Sequence, residues 1–231
     1  VKLIAGVEVD AIAVHLNPGQ ELAQPEGDRA FSGVLDGTAR LCERSPVPVI
    51  VKETGFGIGA AEAHELVDRG VRYVDVAGSG GTNWVTVEGY RMDEDAHAVA
   101  AEFADWGTPT AIALATTRDL PGRILASGGL RTGMDVAKSV ALGAQAAGLA
   151  LPFVRAVVEG GYESGLAFAK RLRDVLRIAM TLTGSSDVAA LRSAPLIETP
   201  TFTELTNRHR AAEEHARDRI RHSVPAARGA R

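Results

Sequence analysis

Apolar residues along this chain fall in short unbroken runs, each set off by glycine- or proline-rich text and most followed by a stretch with helical spacing. The runs Ala11–Val14, Val49–Val51, Tyr73–Val76, Ala111–Ala115, Ile124–Ala126 and Ala147–Leu151 predict six strands. None alternates with period two, which argues for a parallel sheet covered by helices. Helical stripes lie between them: Val34, Leu35 and Leu41; Ala60, Ala63, Leu66 and Val67; Met134, Ala137, Val140 and Ala141. Gly70 and Gly143 stand where a helix-ending glycine belongs. Further helices are predicted over Val1–Val9, Asp93–Trp106, 153–159, 164–182 and 188–191. The segment from Ala115 to Ile124 is too short for a crossover helix, so a turn is expected there.

Composition narrows the class without naming a chemistry. The chain has 231 residues, enough for one α/β barrel or two small domains. A net charge of −4 gives no reason to expect nucleic acid or an anionic membrane as partner. Cys42 is the single cysteine, cannot form an internal disulfide, and reads as a small core residue. No apolar run approaches a membrane span and no signal peptide is visible, so a cytoplasmic protein is the expectation. The 25 glycines cluster after strands, which suits close backbone approach to a ligand. From Arg208 onward seven Arg face three acidic residues, which predicts a solvated helix fraying into a tail. The domain reading is therefore 1–207 as the α/β body and 208–231 as a polar, Arg-rich tail.

The chemistry gathers at the strand ends, where parallel α/β folds build their sites. His15, Asn17, Gln20 and Glu21 follow the first strand, and Pro25–Arg29 come close behind. Glu21 has the carboxylate that Mg²⁺ takes alongside phosphate oxygens, although a surface or capping role is equally open. Glu26 and Asp28 are candidates to pair with Arg29. Lys52 ends a buried strand, so its ammonium faces an anionic ligand, a reduced cofactor ring, or a carboxylate such as Glu53. Gly78–Gly81 and Gly128–Gly129 follow later strands. The second pair precedes a helix start, where free N–H groups and the helix dipole suit a phosphate. Each glycine run alone is also consistent with a connecting turn.

The words HLNPGQE, PEGDRAFSG, PVIVKETGFG, YVDVAGSGGTNW, WGTPTAIAL and ILASGGLRTGMDVAKSVALGAQAAGLALPF closely resemble the FMN-dependent type 2 isopentenyl diphosphate isomerases. The likeness runs in order from about residue 1 to about residue 200. It implies a TIM (β/α)₈ barrel of which about six of eight strands are present, two more preceding the HLN motif. It implies interconversion of isopentenyl and dimethylallyl diphosphate by a homo-oligomer using reduced FMN, Mg²⁺, and NADPH to reduce the flavin. Carried over by position, the resemblance puts Lys52, Thr82, Gly128, Gly129, Leu130, Arg131, Ala150 and Leu151 at FMN. It puts His15, Asn17 and Gln20 at the diphosphate and Glu21 at Mg²⁺. Gln20, His15, Trp84 and Glu88 form the implied catalytic set. Ala77 stands where many members have Ser.

Two other readings compete. The 2-hydroxy acid oxidases share the barrel but carry His and Arg at the positions of Ser79 and Thr82, and so lack their base and carboxylate clamp here. A non-catalytic partial barrel is the other, and residues 1–231 alone are expected to be inactive for want of the missing strands.

Overall fold

A computed structural model describes residues 2–223 of the chain. In order the elements are α1 (Lys2–Val7), β1 (Ile12–His15), α2 (Pro18–Ala23), α3 (Val34–Arg44), β2 (Val49–Lys52), α4 (Ala60–Asp68), β3 (Tyr73–Asp75) and α5 (Trp84–Gly89). There follow α6 (Glu94–Ala101), α7 (Thr110–Thr116), β4 (Ile124–Ala126), α8 (Gly133–Ala141), β5 (Ala146–Ala147), α9 (Leu151–Leu182), α10 (Val188–Arg192) and α11 (Pro200–Ser223). The strands form one sheet in sequence order, β1-β2-β3-β4-β5, with every pair parallel. This is a partial barrel: an arc of parallel strands with its β/α connections, not closed on itself.

Five strands form among the described residues, where six are expected from the pattern. The run Ala111–Ala115 is helical, inside α7. Pro109 opens that helix, its carbonyl accepting from the N–H groups of Ile112 and Ala113 at 2.9 and 3.0 Å. Thr110 and Ile112 to Thr116 are all buried and only Ala111 is exposed, so the helix has almost no polar face to betray its period. The difficulty with the segment before Ile124 disappears with this reassignment, because α7 is itself the crossover helix. An eight-stranded barrel then needs three more strands, 8 − 5, rather than two.

The run Ala147–Leu151, expected as the last strand, is strand only over Ala146–Ala147, and Leu151 already opens α9. Helix α6 ends at Ala101, earlier than the predicted 106. Residues 151–182 hold the two predicted helices end to end, broken by non-helical backbone at Gly160 and Gly161. Helices α4 and α8 both close as expected: the N–H of Gly70 bonds Val67 and that of Val71 bonds Leu66, with Gly143 and Ala144 repeating the pattern on Val140 and Ser139. Helix α11 runs through the 207–208 boundary, and its Glu213 accepts the N–H of Ala61 at the start of α4. The end of the predicted tail, 224–231, lies outside the described residues.

The core lies on one side of the sheet only. Val51, Val74, Val76, Ile124 and Ala126 face outward and pack with Ala63, Leu66, Ala113, Leu114 and Leu142 from the covering helices. The opposite face carries Ala13, Ile50, Tyr73, Leu125 and Ala146, which are half-buried or exposed. Leu114, 2% exposed, sits at the centre of the covered side. Leu114→Ala is expected to cost about 3 kcal/mol in urea unfolding; a loss below about 1 kcal/mol would place α7 outside the core.

Candidate active site

Parallel pairing brings polar side chains together at the carboxyl edge of the sheet. His15 pairs with Lys52, and Lys52 with Asp75, so all three project from the same face. The outward row one residue earlier, Val14, Val51 and Val74, is apolar. Lys52 Nζ donates to the Glu53 carbonyl at 2.9 Å. Ser127 Oγ donates to Asp75 Oδ1 at 2.7 Å. Burial pushes the Asp75 carboxyl up, against the opposing influence of the Ser127 hydroxyl and the Lys52 charge.

A cleft of about 680 Å³ opens over this edge. All eight positions matched to the flavin line it: Lys52, Thr82, Gly128, Gly129, Leu130, Arg131, Ala150 and Leu151. Its floor is made by two glycine loops pressed backbone to backbone. A Cβ on Gly128 would lie 2.0 Å from the Gly78 carbonyl oxygen, and one on Gly129 2.5 Å from that of Gly80. Both glycines also have left-handed φ, +94° and +78°. Thr110 Oγ1 donates to the Gly128 carbonyl at 2.6 Å, tying α7 to the floor.

The start of α8 is less open than the glycine pattern predicts. Thr132 and Asp135 form a capping box, and Asp135 also accepts the N–H of Arg131. The N–H groups of Gly129 and Leu130 ahead of it, and of Ala150 and Leu151 across the cleft, meet no protein acceptor among the described residues. Arg155 and Arg171 border the same cleft. Loop N–H groups and arginines therefore converge where an anion would be held.

A second group of polar side chains abuts the first. Asn17, 7% exposed, caps α2 by accepting the N–H of Gln20 at 3.0 Å, which fixes the orientation of its amide. Its Nδ2 donates to Gln20 Oε1 at 3.2 Å and to Thr54 Oγ1 at 2.5 Å. Gln20 Nε2 donates to Glu88 Oε1 at 2.8 Å, joined by Gln24 Nε2 at 2.7 Å. Arg91 Nη1 lies 2.9 Å from Glu88 Oε2. Glu88 is 4% exposed. The Gln20 hydrogen bond, opposed by burial and reinforced by Gln24 and Arg91, holds its carboxyl below the usual carboxylate range. His15 Nε2 stands 3.1 Å from Thr54 Oγ1. Trp84, at the start of α5, lines the cleft.

Glu21 lies apart from this network. Its Oε2 accepts the N–H of Asp28 at 3.0 Å. Arg29 donates to the carbonyls of Leu22 and Gln24 instead of pairing with Glu26 or Asp28. Among the described residues, no three of His, Cys, Asp and Glu gather as a metal-holding group. Ala77 lines the cleft with no hydroxyl to offer, in left-handed backbone at φ +40°.

Sequence reasoning passed over Thr54, Asp75, Gln24, Arg155 and Arg171, and left Glu53 as a mere partner for Lys52. Glu53 instead points away from the cleft, where its Oε2 accepts N–H groups from Gly55, Phe56 and Gly57 at 2.5, 2.6 and 3.0 Å. Asp75 was in reach, since a polar residue ending the strand next to Lys52 must share its face.

The model of the FMN-dependent dehydrogenase family matches residues 21–198. An isopentenyl-diphosphate delta-isomerase of Borrelia garinii subsp. bavariensis is 46% identical over 192 residues, covering 83% of this chain and 54% of the relative. One from Stutzerimonas stutzeri is 47% identical over 195 residues, covering 83% and 56%. The chain thus spans about half the length of the curated relatives it matches. A crystal structure of mandelate oxidase with (S)-4-hydroxymandelic acid superposes with a TM-score of 0.59 at 20% identity, over 84% of this chain and 59% of that one. That likeness concerns the fold alone.

Two outcomes test the geometry. Gly128→Ala drives a methyl into the Gly78 carbonyl, so ligand binding in the cleft should be lost with any fold that survives; an intact cleft would show that the loops do not touch. Glu88, with its carboxyl depressed, contributes stability that is present above its unfolded pKa and lost as pH falls through the lower folded value. The stability gap between parent and Glu88→Gln should therefore be largest near neutrality and shrink in acid. A gap independent of pH in urea titrations would mean that the carboxyl is not held ionised.

Proposed function

The chain belongs to the FMN-dependent dehydrogenase family, and from that premise we propose that it serves an isomerase interconverting isopentenyl and dimethylallyl diphosphate with reduced FMN and Mg²⁺. One observation carries the reading. The cleft that gathers the eight flavin-matched positions adjoins, through Thr54, the network of His15, Asn17 and Gln20, matched to the diphosphate, and Glu88, of the implied catalytic set.

The residues present fit FMN. Lys52 would stand beside the ring and the N–H groups of Gly129, Leu130, Ala150 and Leu151 would hold the phosphate, as the cation-rich cleft favours. When bound, reduced FMN, renewed from NADPH, would supply an electron-rich ring. The protein's own residues bind and orient. His15 and Gln20 would hold the diphosphate, with Asn17 positioning Gln20 and Thr54 for it, and Glu21 would offer one carboxylate to Mg²⁺. Moving the double bond adds one proton and removes another. Glu88, ionised and buried, accepts from Gln20 Nε2 at 2.8 Å and so fixes the orientation of that amide. Trp84 walls the alkene and offers its ring face to developing positive charge.

The oxidase reading gains nothing from the mandelate oxidase likeness, because Ser79 and Thr82 can supply neither a base nor a carboxylate clamp. The proposal includes a homo-oligomer in the cytoplasm with no nucleic-acid partner. No helix among the described residues is long and apolar enough to cross a membrane.

The decisive assay compares residues 1–231 with the same residues joined to the unmatched remainder of the Borrelia garinii relative. Under reducing conditions with FMN and Mg²⁺, the joined form should convert isopentenyl diphosphate and the 231-residue form should not. An FMN-loaded joined form without turnover would sink the isomerase reading. In that form Lys52→Ala should weaken flavin binding about tenfold, the loss of about one charge-assisted contact; an unaltered flavin titration removes Lys52 from the site. Glu21→Gln should depress Mg²⁺-dependent turnover while flavin affinity holds. Unchanged Mg²⁺ dependence would assign the metal to another carboxylate.

A further inference from the structure

Among the described residues, Thr54 is the one that both lines the cleft and bonds directly into the network beside it. Its hydroxyl has one hydrogen to give and two lone pairs to receive. The N-cap bond assigns the Asn17 amide: Oδ1 takes the Gln20 N–H, so Nδ2 is the atom facing Thr54 and donates to Oγ1 at 2.5 Å. A hydroxyl that accepts a hydrogen bond becomes a better donor. The nitrogen available to receive its hydrogen is His15 Nε2, 3.1 Å away.

We propose that Thr54 is a positioning residue that selects the Nδ1–H tautomer of His15 and so leaves that N–H as the donor to an anionic oxygen. Every link of the chain then runs in one sense. Asn17 gives one amide hydrogen to Gln20 Oε1 and the other to Thr54, and Thr54 gives its own to His15. His15 Nδ1 bonds no other group among the described residues, and the residue is exposed. Without the Thr54 hydroxyl, an Asn17 N–H loses its acceptor, and the His15 ring is free to choose its tautomer. The identity of the anionic oxygen, a diphosphate oxygen, rests on the function proposed above; the tautomer does not.

The test uses the 231-residue chain with ¹⁵N-labelled histidine, its His15 signals identified by their loss in His15→Asn. Near pH 8.5, about two units above an ordinary imidazole pKa, long-range proton–nitrogen spectra should show Nδ1 protonated and Nε2 bare. Thr54→Val should shift the ring toward the Nε2–H form, and Thr54→Ser should restore the parent pattern. Thr54→Ala deletes the same hydroxyl and is read if the valine variant does not fold. A parent ring protonated at Nε2, or a valine or alanine variant identical to the parent, would overturn the assignment. Titration with inorganic pyrophosphate separates the two layers. The valine variant should bind about fivefold more weakly, the worth of one hydrogen bond, and equal affinity would remove the donor role. Pyrophosphate that fails to bind even the parent would overturn the diphosphate reading while the nitrogen spectra still decide the tautomer.

Discussion

Everything in this molecule depends on the parity of a parallel register. Because side chains alternate with a period of two, pairing His15 with Lys52 and Lys52 with Asp75 also pairs Val14 with Val51 and Val51 with Val74. One row builds the core under the helices, and the other delivers a histidine, an ammonium and a carboxylate to one edge. A slip of one residue in β2 would bury Lys52 among the valines and expel the apolar row. Core stability and site assembly are therefore the same constraint, and the site's charges are held in place by hydrophobic burial on the opposite face.

The loops beyond the strands are shaped mainly by their own backbone. Glu53 takes three successive N–H groups of the 55–57 turn, and turning away from the cleft it leaves Thr54 facing into it. The two glycine loops rest on each other so closely that a methyl group at either contact collides with a carbonyl. Asn17 and Asn83 cap α2 and α5, the short helices that carry Gln20 and Glu88. A preformed cleft of this kind loses little entropy when a ligand arrives. The inner face of the sheet, by contrast, stays open among the described residues, which separates the completeness of the site's edge from the completeness of the barrel.

Much of this was legible in the sequence, and the failures have physical causes. Short apolar runs between glycines gave four strands close to their true place, and the resemblance collected eight residues that do line one cleft. The run Ala111–Ala115 misled because a helix buried all round shows no period, and its length suits a strand equally well. Thr54 escaped notice because nothing in a lone threonine announces a role; its importance comes from His15 and Asn17, 39 and 37 residues away. The closure of the α8 start by Asp135 was readable as a Thr-x-x-Asp capping pattern, and was overshadowed by the glycines before it. Arg155 and Arg171 come from α9, whose position beside the cleft no local pattern reveals.

The most direct test of this account is a comparison of FMN with riboflavin binding to the 231-residue chain, followed by quenching of flavin fluorescence. The two ligands share the ring and differ in the phosphate that the N–H groups of Gly129, Leu130, Ala150 and Leu151 are held to grip. FMN should bind at least about tenfold more tightly, a difference of about 1.4 kcal/mol, and Gly128→Ala should abolish that preference. Equal affinity for the two flavins would contradict the claim that these strand ends form a flavin-phosphate site.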